Sequence, residues 1–425
     1  MNPFKGKNIT VMGLGLLGRG VGDTKYLAEQ GANLLVTDLK TAEELKTSID
    51  QLKEFSNITY VLGEHRLQDF ENIDMVLKGN GVPLGNKYIE HAREHGVEIV
   101  MSGALFHELS NLPMIGITGT RGKTTVTHLV HHALKNSLLG GNVRGISNLQ
   151  LLKETEGKDV AVFELDSWQL QGFEEKKISP NIAVFTNFME DHLNYYGGDM
   201  DLYFKDKANI FLHQKEGETL IIGADIEDRV REHTKNYIVA KQGEVDSSWH
   251  PNLIGEHNEK NVACAYHALK VYGLSDDEIK EAFKSFPGIE GRLENIGEVK
   301  GVRIFNDSTS TTPAATEAGI KAVQGEGKVI AIVGGADKEL PLDGFNKVLD
   351  IVDHLVLLAG SGTEKLGRKE VPHDSLESAV KEAFENAKEG DAILFSPGFA
   401  SFGMFVNEYE RNDMFVALIK KHGNA

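Results

Sequence analysis

The segment IGITGTRGKT at residues 115–124 constrains the fold more than any other, because it carries an apolar strand, residues 112–117, through a glycine-rich loop into a helix. Backbone N–H groups of such a loop and the positive end of the helix form a cradle for a triphosphate. Lys123 supplies a mobile ammonium and Thr124 a hydroxyl for magnesium. The spacing is not that of the strict Walker motif: the residue five before Gly122 is Ile117, and the nearest glycines are Gly116 and Gly119. Strand, glycines, lysine and hydroxyl coincide, which points to an enzyme that hydrolyses or activates a nucleotide.

A chain of 425 residues is too long for one hydrophobic core, so two or three domains are expected around that loop. The formal charge of −18 argues against nucleic acid as a partner, since a polyanion calls for a basic surface. No apolar run reaches the ~20 residues that span a bilayer, and MNPFKGKNITVMG lacks a signal-peptide pattern, so no membrane partner is expected and a cytoplasmic location is. The single cysteine, Cys264 in NVACAYHAL, forms no internal disulfide and reads as a small buried helix residue.

A second glycine turn opens the chain. NITVMG is a short strand, and Gly13, Gly15 and Gly18 lead into a helix through about Gln30. LLVTD follows as a strand with Asp38 at its end, 20 residues past Gly18, which reproduces the dinucleotide fingerprint with its acidic ribose partner. Taken alone that fingerprint says NAD, yet the same turn holds any nucleotide diphosphate. Alternation continues through MVLKGNG and VEIVMSG, giving a first doubly wound unit over residues 1–100. The second unit, 101–287, holds the phosphate loop, strands VAVFELD and NIAVFTN, and helices expected over residues 203–212 and 257–272. Glu164 closes VAVFELD at the edge where parallel sheets present ligands, a natural place for a magnesium carboxylate. The third unit, 288–425, shows strands at VRIFND, VIAIVGG, HLVLLAG and AILFSPG, a further open α/β sheet.

GITGTRGKTT, VFELDSWQL, TNFMEDHLNYY, YFKDKANIF, LIGEHNEKN, GRLE, FNDST and LFSPGFASFG occur in the order and rough spacing of the Mur ligases, a family the chain resembles over essentially its whole length. The resemblance implies an α/β fold of three-domain Mur ligase architecture: a Rossmann-like N-terminal domain that binds a UDP substrate, a central P-loop ATPase domain and a Rossmann-like C-terminal domain that binds an amino acid. It also implies an ATP-dependent amide ligase of peptidoglycan precursor synthesis. Such an enzyme uses ATP and Mg2+ to join D-glutamate to UDP-N-acetylmuramoyl-L-alanine through an acyl phosphate, and a monomer is expected.

Carried over residue by residue, the likeness assigns Gly119, Thr120, Arg121, Gly122, Lys123, Thr124 and Thr125 to the ATP phosphates, with Lys123 on the β and γ phosphates and Thr124 on magnesium. Glu164 and His192 would complete the metal site; without the likeness His192 is a loop histidine. Lys207 matches the lysine that the family carbamylates, which turns a cation into a carboxylate directed at magnesium; from residues alone it is an exposed helix lysine. Asn258 and Asn261 match asparagines near the adenine, and Arg292 with Asp307 match residues that bridge the central and C-terminal domains around ATP. Leu16, Leu17 and Asp38 become uridine-diphosphate contacts in place of an NAD site, and Gly81 with Asn142 line the path of the muramoyl group. Thr311, Lys338, Ser401 and Phe402 would hold the incoming amino acid, Lys338 by pairing with a carboxylate and Ser401 by donating to one.

Three departures stand out: Arg121 where the family more often has asparagine, Asp166 where serine is common after the metal glutamate, and Thr309 where lysine is usual. The last removes a cation beside the amino-acid pocket, so another amino acid, L-glutamate included, is the alternative substrate. A folate or polyglutamate ligase shares the central loop but gives no reason for a UDP-type N-terminal fold; a non-enzymatic nucleotide sensor gives none for Lys123, Glu164, His192 and Lys207 together. His128, His131 and His132 lie at helical spacing without carboxylates or thiols around them and read as a helix face.

Overall fold

Short runs of β-branched and apolar residues build three sheets, and the glycine turns fall at their strand ends. The computed structural model describes residues 2–423 apart from Leu17, Glu326 and Asp343. The first sheet contains β1 (Asn8–Met12), β2 (Asn33–Asp38), β3 (Ile58–Leu62), β4 (Met75–Lys78) and β5 (Glu98–Val100), all parallel in the order β3-β2-β1-β4-β5. The second contains β6 (Met114–Thr118), β7 (Ser137–Gly141), β8 (Val160–Glu164), β9 (Ile182–Phe185), β10 (Thr219–Gly223) and β11 (Tyr237–Ala240), parallel in the order β11-β10-β9-β6-β8-β7. In both sheets the strand order reverses beside the strand that leads into a glycine loop, β1 and β6, which is where an open parallel sheet leaves a crevice for a ligand.

The third sheet is mixed. Its strands β12 (Glu294–Val299), β13 (Val302–Asn306), β14 (Val329–Gly334), β15 (His354–Leu358) and β16 (Ala392–Phe395) run in the order β12-β13-β16-β14-β15, with β12 antiparallel to β13 and the rest parallel. The edge strand ENIGEV has a polar, half-exposed face and a bulge at residues 295–297, so it lacks the apolar signal that marks its neighbours. Central strands such as β8 and β14 are buried along their whole length, as parallel strands covered on both faces must be.

Close contacts divide the chain into two units, Met1–Glu244 with Lys260–Ile279, and Val245–Glu259 with Lys280–Ala425. The first unit holds the two parallel sheets, and a polar seam joins them. Asp23, buried on the helix Arg19–Glu29, accepts from the Ser147 hydroxyl (2.7 Å) and the Leu149 N–H (3.0 Å), while Gln150 donates to the Gly22 carbonyl (3.0 Å). The helix expected over 203–212 instead spans Met200–Ala208. Asp199 caps it by accepting from Asp201 and Leu202 N–H groups, which moves the start upstream, and residues 209–213 continue only as turns.

Candidate active site

Two glycines set the shape of the loop between β6 and the helix Lys123–Ala133. Gly119 has φ 148°, and a Cβ there would lie 1.9 Å from Thr186 Oγ1; Gly122 has φ 81°, and a Cβ there would lie 2.0 Å from Asn261 Oδ1. Backbone and space both demand glycine at each. The loop is fastened to the segment that follows β9. Buried Thr120 exchanges hydrogen bonds between its hydroxyl and the Met189 backbone (3.1 and 3.2 Å), and Arg121 donates its N–H to Asn187 Oδ1 (2.8 Å) and its guanidinium to Asp191 (2.7 Å). The arginine that departs from the family pattern thus ties the loop to the residue preceding His192. Thr124 and Thr125 occupy the first turn of the helix, with Thr125 buried.

Two lysines meet on this loop. Lys123 Nζ donates to the carbonyls of Gly119 (2.9 Å) and Thr120 (3.2 Å), and Lys207 Nζ donates to the same Gly119 carbonyl at 2.8 Å. Lys207 is buried, contrary to the exposed helix lysine its residues alone suggested, because the helix Met200–Ala208 turns Tyr203, Phe204, Lys207 and Ala208 inward. Burial, and then repulsion from Lys123, pushes its ammonium well below the ordinary lysine range. An amine driven toward its neutral form is a nucleophile.

Glu164, the last residue of β8, is buried, and the Asn142 amide donates to its Oε1 at 3.3 Å. Arg19, at the start of the helix after the first glycine turn, donates in turn to Asn142 Oδ1. His192 sits at φ 53° ahead of the short helix Leu193–Tyr196, against the rings of Trp168 (5.0 Å) and Tyr203 (5.8 Å). Burial holds its imidazole below the ordinary histidine range; Asp191 opposes this, and Lys207 and Lys123 reinforce it. A neutral ring keeps a lone pair for a metal. Asp166 completes a capping box on the helix Ser167–Lys176, accepting from the Gln169 N–H at 2.7 Å while Gln169 returns a bond to the Asp166 N–H. Aspartate and serine both cap helices well, which accounts for this departure.

At the first glycine turn, Asp38 accepts from the N–H of Gly15 (3.1 Å) and of Lys40 (2.9 Å), and the Ser48 hydroxyl donates to the Gly15 carbonyl (2.8 Å). Leu16 is exposed, Gly81 is exposed with open space where a Cβ would stand, and Leu17 lies outside the described residues. Lys78, at the end of β4, escaped the sequence reading. It is buried and donates to the carbonyls of Gly79 (3.2 Å) and Val82 (2.7 Å), so it shapes the loop that carries Gly81. Burial pushes its ammonium down to about 8, against the pull of Asp166, Asp206 and Glu175. A lysine closing the apolar run MVLK at a ligand edge was the available signal.

In the second unit, Asp307 is buried and accepts from the Leu293 N–H (3.0 Å) and the Ser396 hydroxyl (2.7 Å); burial nevertheless pushes its carboxyl up to about 6, with Arg292 pulling the other way. Lys338 Nζ donates to the Thr311 hydroxyl at 2.9 Å. Ala336 and Ala400 exchange backbone hydrogen bonds (2.9 and 3.0 Å), which sets the Lys338 segment beside buried Ser401 and exposed Phe402. Thr309, the third departure, donates its hydroxyl to the Gly291 carbonyl at 2.9 Å. Asn258 donates to the Ile254 carbonyl (2.9 Å) and shares the helix Glu256–Tyr272 with Asn261. The imidazole of His131 engages the Ser137 hydroxyl (2.7 Å), and Cys264 is buried with its thiol pushed up to about 12.

Three family descriptions match the chain in series: "Mur ligase MurD-like, N-terminal domain" over residues 7–101, "Mur ligase middle domain" over 117–244, and "Mur ligase, glutamate ligase domain" over 291–399. A UDP-N-acetylmuramoylalanine--D-glutamate ligase of Borreliella burgdorferi (strain ZS7) is 36% identical over an alignment of 461 positions that covers 100% of both chains. The chain belongs to the Mur ligase family. As a Mur ligase it is an ATP-dependent amide-bond-forming enzyme of three α/β domains. A relative of the same name from Roseiflexus sp. (strain RS-1) is 35% identical over 98% of each chain. The fold is shared with the MurF ligase of Thermotoga maritima in complex with ADP, at a TM-score of 0.65 and 17% identity, with 99% of this Mur ligase and 96% of that chain covered. No helix among the described residues is long and apolar enough to cross a membrane.

Proposed function

We propose that this Mur ligase joins D-glutamate to UDP-N-acetylmuramoyl-L-alanine in the cytoplasm, as a monomer, with domain limits near residues 100 and 287. The observation that carries the reading is the 36% identity across the whole of both chains with a relative named for that reaction. A folate-type ligase gives no account of the MurD-like match over residues 7–101.

The acceptor carboxylate is a poor electrophile. Its oxygen attacks the γ-phosphorus of ATP, ADP leaves, and the acyl phosphate is then attacked by the glutamate nitrogen; phosphate departs and the amine sheds its proton. Gly119, Thr120, Arg121, Gly122 and Thr125 surround the phosphates through the loop and first helical turn, and Lys123 leaves its loop carbonyls to balance charge on the transferred group. Asn258, Asn261, Arg292 and Asp307 serve the nucleotide. Leu16, Leu17 and Asp38 receive the UDP end, Gly81 and Asn142 the muramoyl path, and Thr311, Lys338, Ser401 and Phe402 the amino acid.

The donor set suits magnesium once Lys207 is modified. Two ammoniums on the Gly119 carbonyl repel a divalent cation, but the depressed Lys207 amine can add CO2, release one proton and become a carbamate. Thr124, Glu164, His192 and that carbamate would then hold the ion, which supplies charge neutralisation for phosphoryl transfer. Phosphate release with ATP, UDP-N-acetylmuramoyl-L-alanine and a panel of D- and L-amino acids tests the reading. D-Glutamate should be used fastest. A neutral or basic amino acid used faster at equal concentration reassigns the pocket, and no amino-acid-dependent release overturns the reading altogether.

A further inference from the structure

We infer that Glu71, His91 and His95 form a binding site for a divalent transition ion of the zinc class, separate from both glycine loops. His91 lies in the last turn of the helix Lys87–Glu94, His95 is its C-cap, and Glu71 follows the 3-10 turn Leu67–Phe70 that packs against that helix. Spacing of i, i+4 stacks the two imidazoles on one face, with ring centroids 4.1 Å apart. Both aim Nε2 at one carboxylate oxygen, Glu71 Oε2, at 3.1 Å from His91 and 3.4 Å from His95. Ligands about 2.0–2.2 Å from a tetrahedral zinc stand ~3.3 Å from one another, so these two edges already have the length a shared ion requires. All three ligand atoms lie within 4.8 Å of each other, and among the described residues this is the one group of three histidine, cysteine, aspartate or glutamate side chains that does so.

The hydrogen bonding fixes which nitrogen of His95 is presented to the site. His95 Nδ1 faces the His91 carbonyl at 2.8 Å, and a carbonyl only accepts, so Nδ1 carries a proton and Nε2 is the nitrogen directed at Glu71. His91 would ligate through Nε2 with its proton held on Nδ1. The carbonyl-rich end of the helix adds favourable potential for positive charge, and Arg93, the cation on the same turn, is paired with Glu175 at 2.6 Å. Two nitrogens and one oxygen select zinc-class ions over magnesium or calcium, which take oxygen ligands. The ion would clip the turn to the helix, with a fourth position left for water.

The test uses the full chain stripped of metal and held in excess magnesium, titrated with Zn2+ alone by calorimetry, beside His95→Gln and Glu71→Gln. Wild type should bind one equivalent that both variants lose by at least the roughly 10–100-fold that removal of an outer-shell partner costs. Zinc should raise the Tm of wild type only, and Co2+ should give the visible bands of a four-coordinate ion in wild type only. These part-exposed side chains are replaced by isosteres or near-isosteres, so the metal-free Tm of each variant should match wild type. Absence of zinc binding in wild type, or equal binding and equal Tm shifts in wild type and either variant, overturns the proposal.

Discussion

The chain turns from strand to helix through glycine twice in its first unit, and the two turns share a backbone but not a charge. Gly18 and Gly122 both sit at φ 81° immediately ahead of a helix that lacks a side-chain N-cap. Around Gly122 the loop carbonyl receives two lysines, and the space a Cβ would occupy is filled by Asn261. Around Gly18 that space is open; Arg19 beside it is committed to Asn142, and Asp38 already accepts from Gly15 and Lys40 N–H groups. The comparison teaches that a glycine turn offers N–H groups to any phosphate, while its ionic neighbours decide how many phosphates it can hold. A triphosphate in transfer needs cations; a diphosphate already flanked by a sugar and a base needs mainly the helix end and a polar anchor.

Lys123→Ala should produce the largest break. Loss of the ammonium removes transition-state stabilisation of several kcal/mol, on the order of 10³-fold or more in rate, with the fold intact by circular dichroism. Near-normal turnover would remove the assignment of the second turn. Lys207→Ala should be nearly inactive for a different reason, loss of an anion, and short carboxylic acids added to the assay should restore part of the rate. Intact mass or diffraction data showing an unmodified lysine in the active, magnesium-loaded enzyme would exclude the carbamate.

Smaller effects separate the turns as structures. Gly18→Ala should cost about 1–2 kcal/mol of stability in chemical denaturation, the strain of a left-handed alanine. Gly122→Ala adds the collision with Asn261 and should cost about 1–3 kcal/mol more. Equal losses would mean that Asn261 swings away freely. A pH effect at Lys78 is read as a slope. Its folded-state value of about 8 lies below the unfolded 10.5, so the unfolded chain binds more protons between those limits and stability rises with pH there. Wild type should show a slope approaching about 1.4 kcal/mol per pH unit over that window that Lys78→Met lacks.

Much of this contrast was legible in the residues. Gly119, Gly122, Lys123 and Asp38 announce themselves because phosphate loops demand small residues and a cation at fixed offsets, and β1, β2, β6 and β8 because buried parallel strands are apolar runs. Lys207, Lys78 and Asp166 were harder to read. The side chain of Lys207 is buried by packing between helix and loop, which no local pattern in YFKDK encodes, and the weight of Lys78 comes from carbonyls that only the folded turn brings together. The polar edge strand β12 was invisible because it has one partner and little to bury. The Glu71, His91 and His95 group joins a turn to a helix 20 residues later, a juxtaposition that spacing alone does not signal.

The central claim is that the two turns take different ligands, and calorimetric titration of UDP-N-acetylmuramoyl-L-alanine into Lys123→Ala and Asp38→Ala tests it most directly. Lys123→Ala should bind the UDP substrate as wild type does, while Asp38→Ala, which frees the Gly15 and Lys40 N–H groups, should bind it at least about tenfold more weakly. Equal weakening in both variants, or tight NAD binding by wild type with no binding of the UDP substrate, would contradict the account.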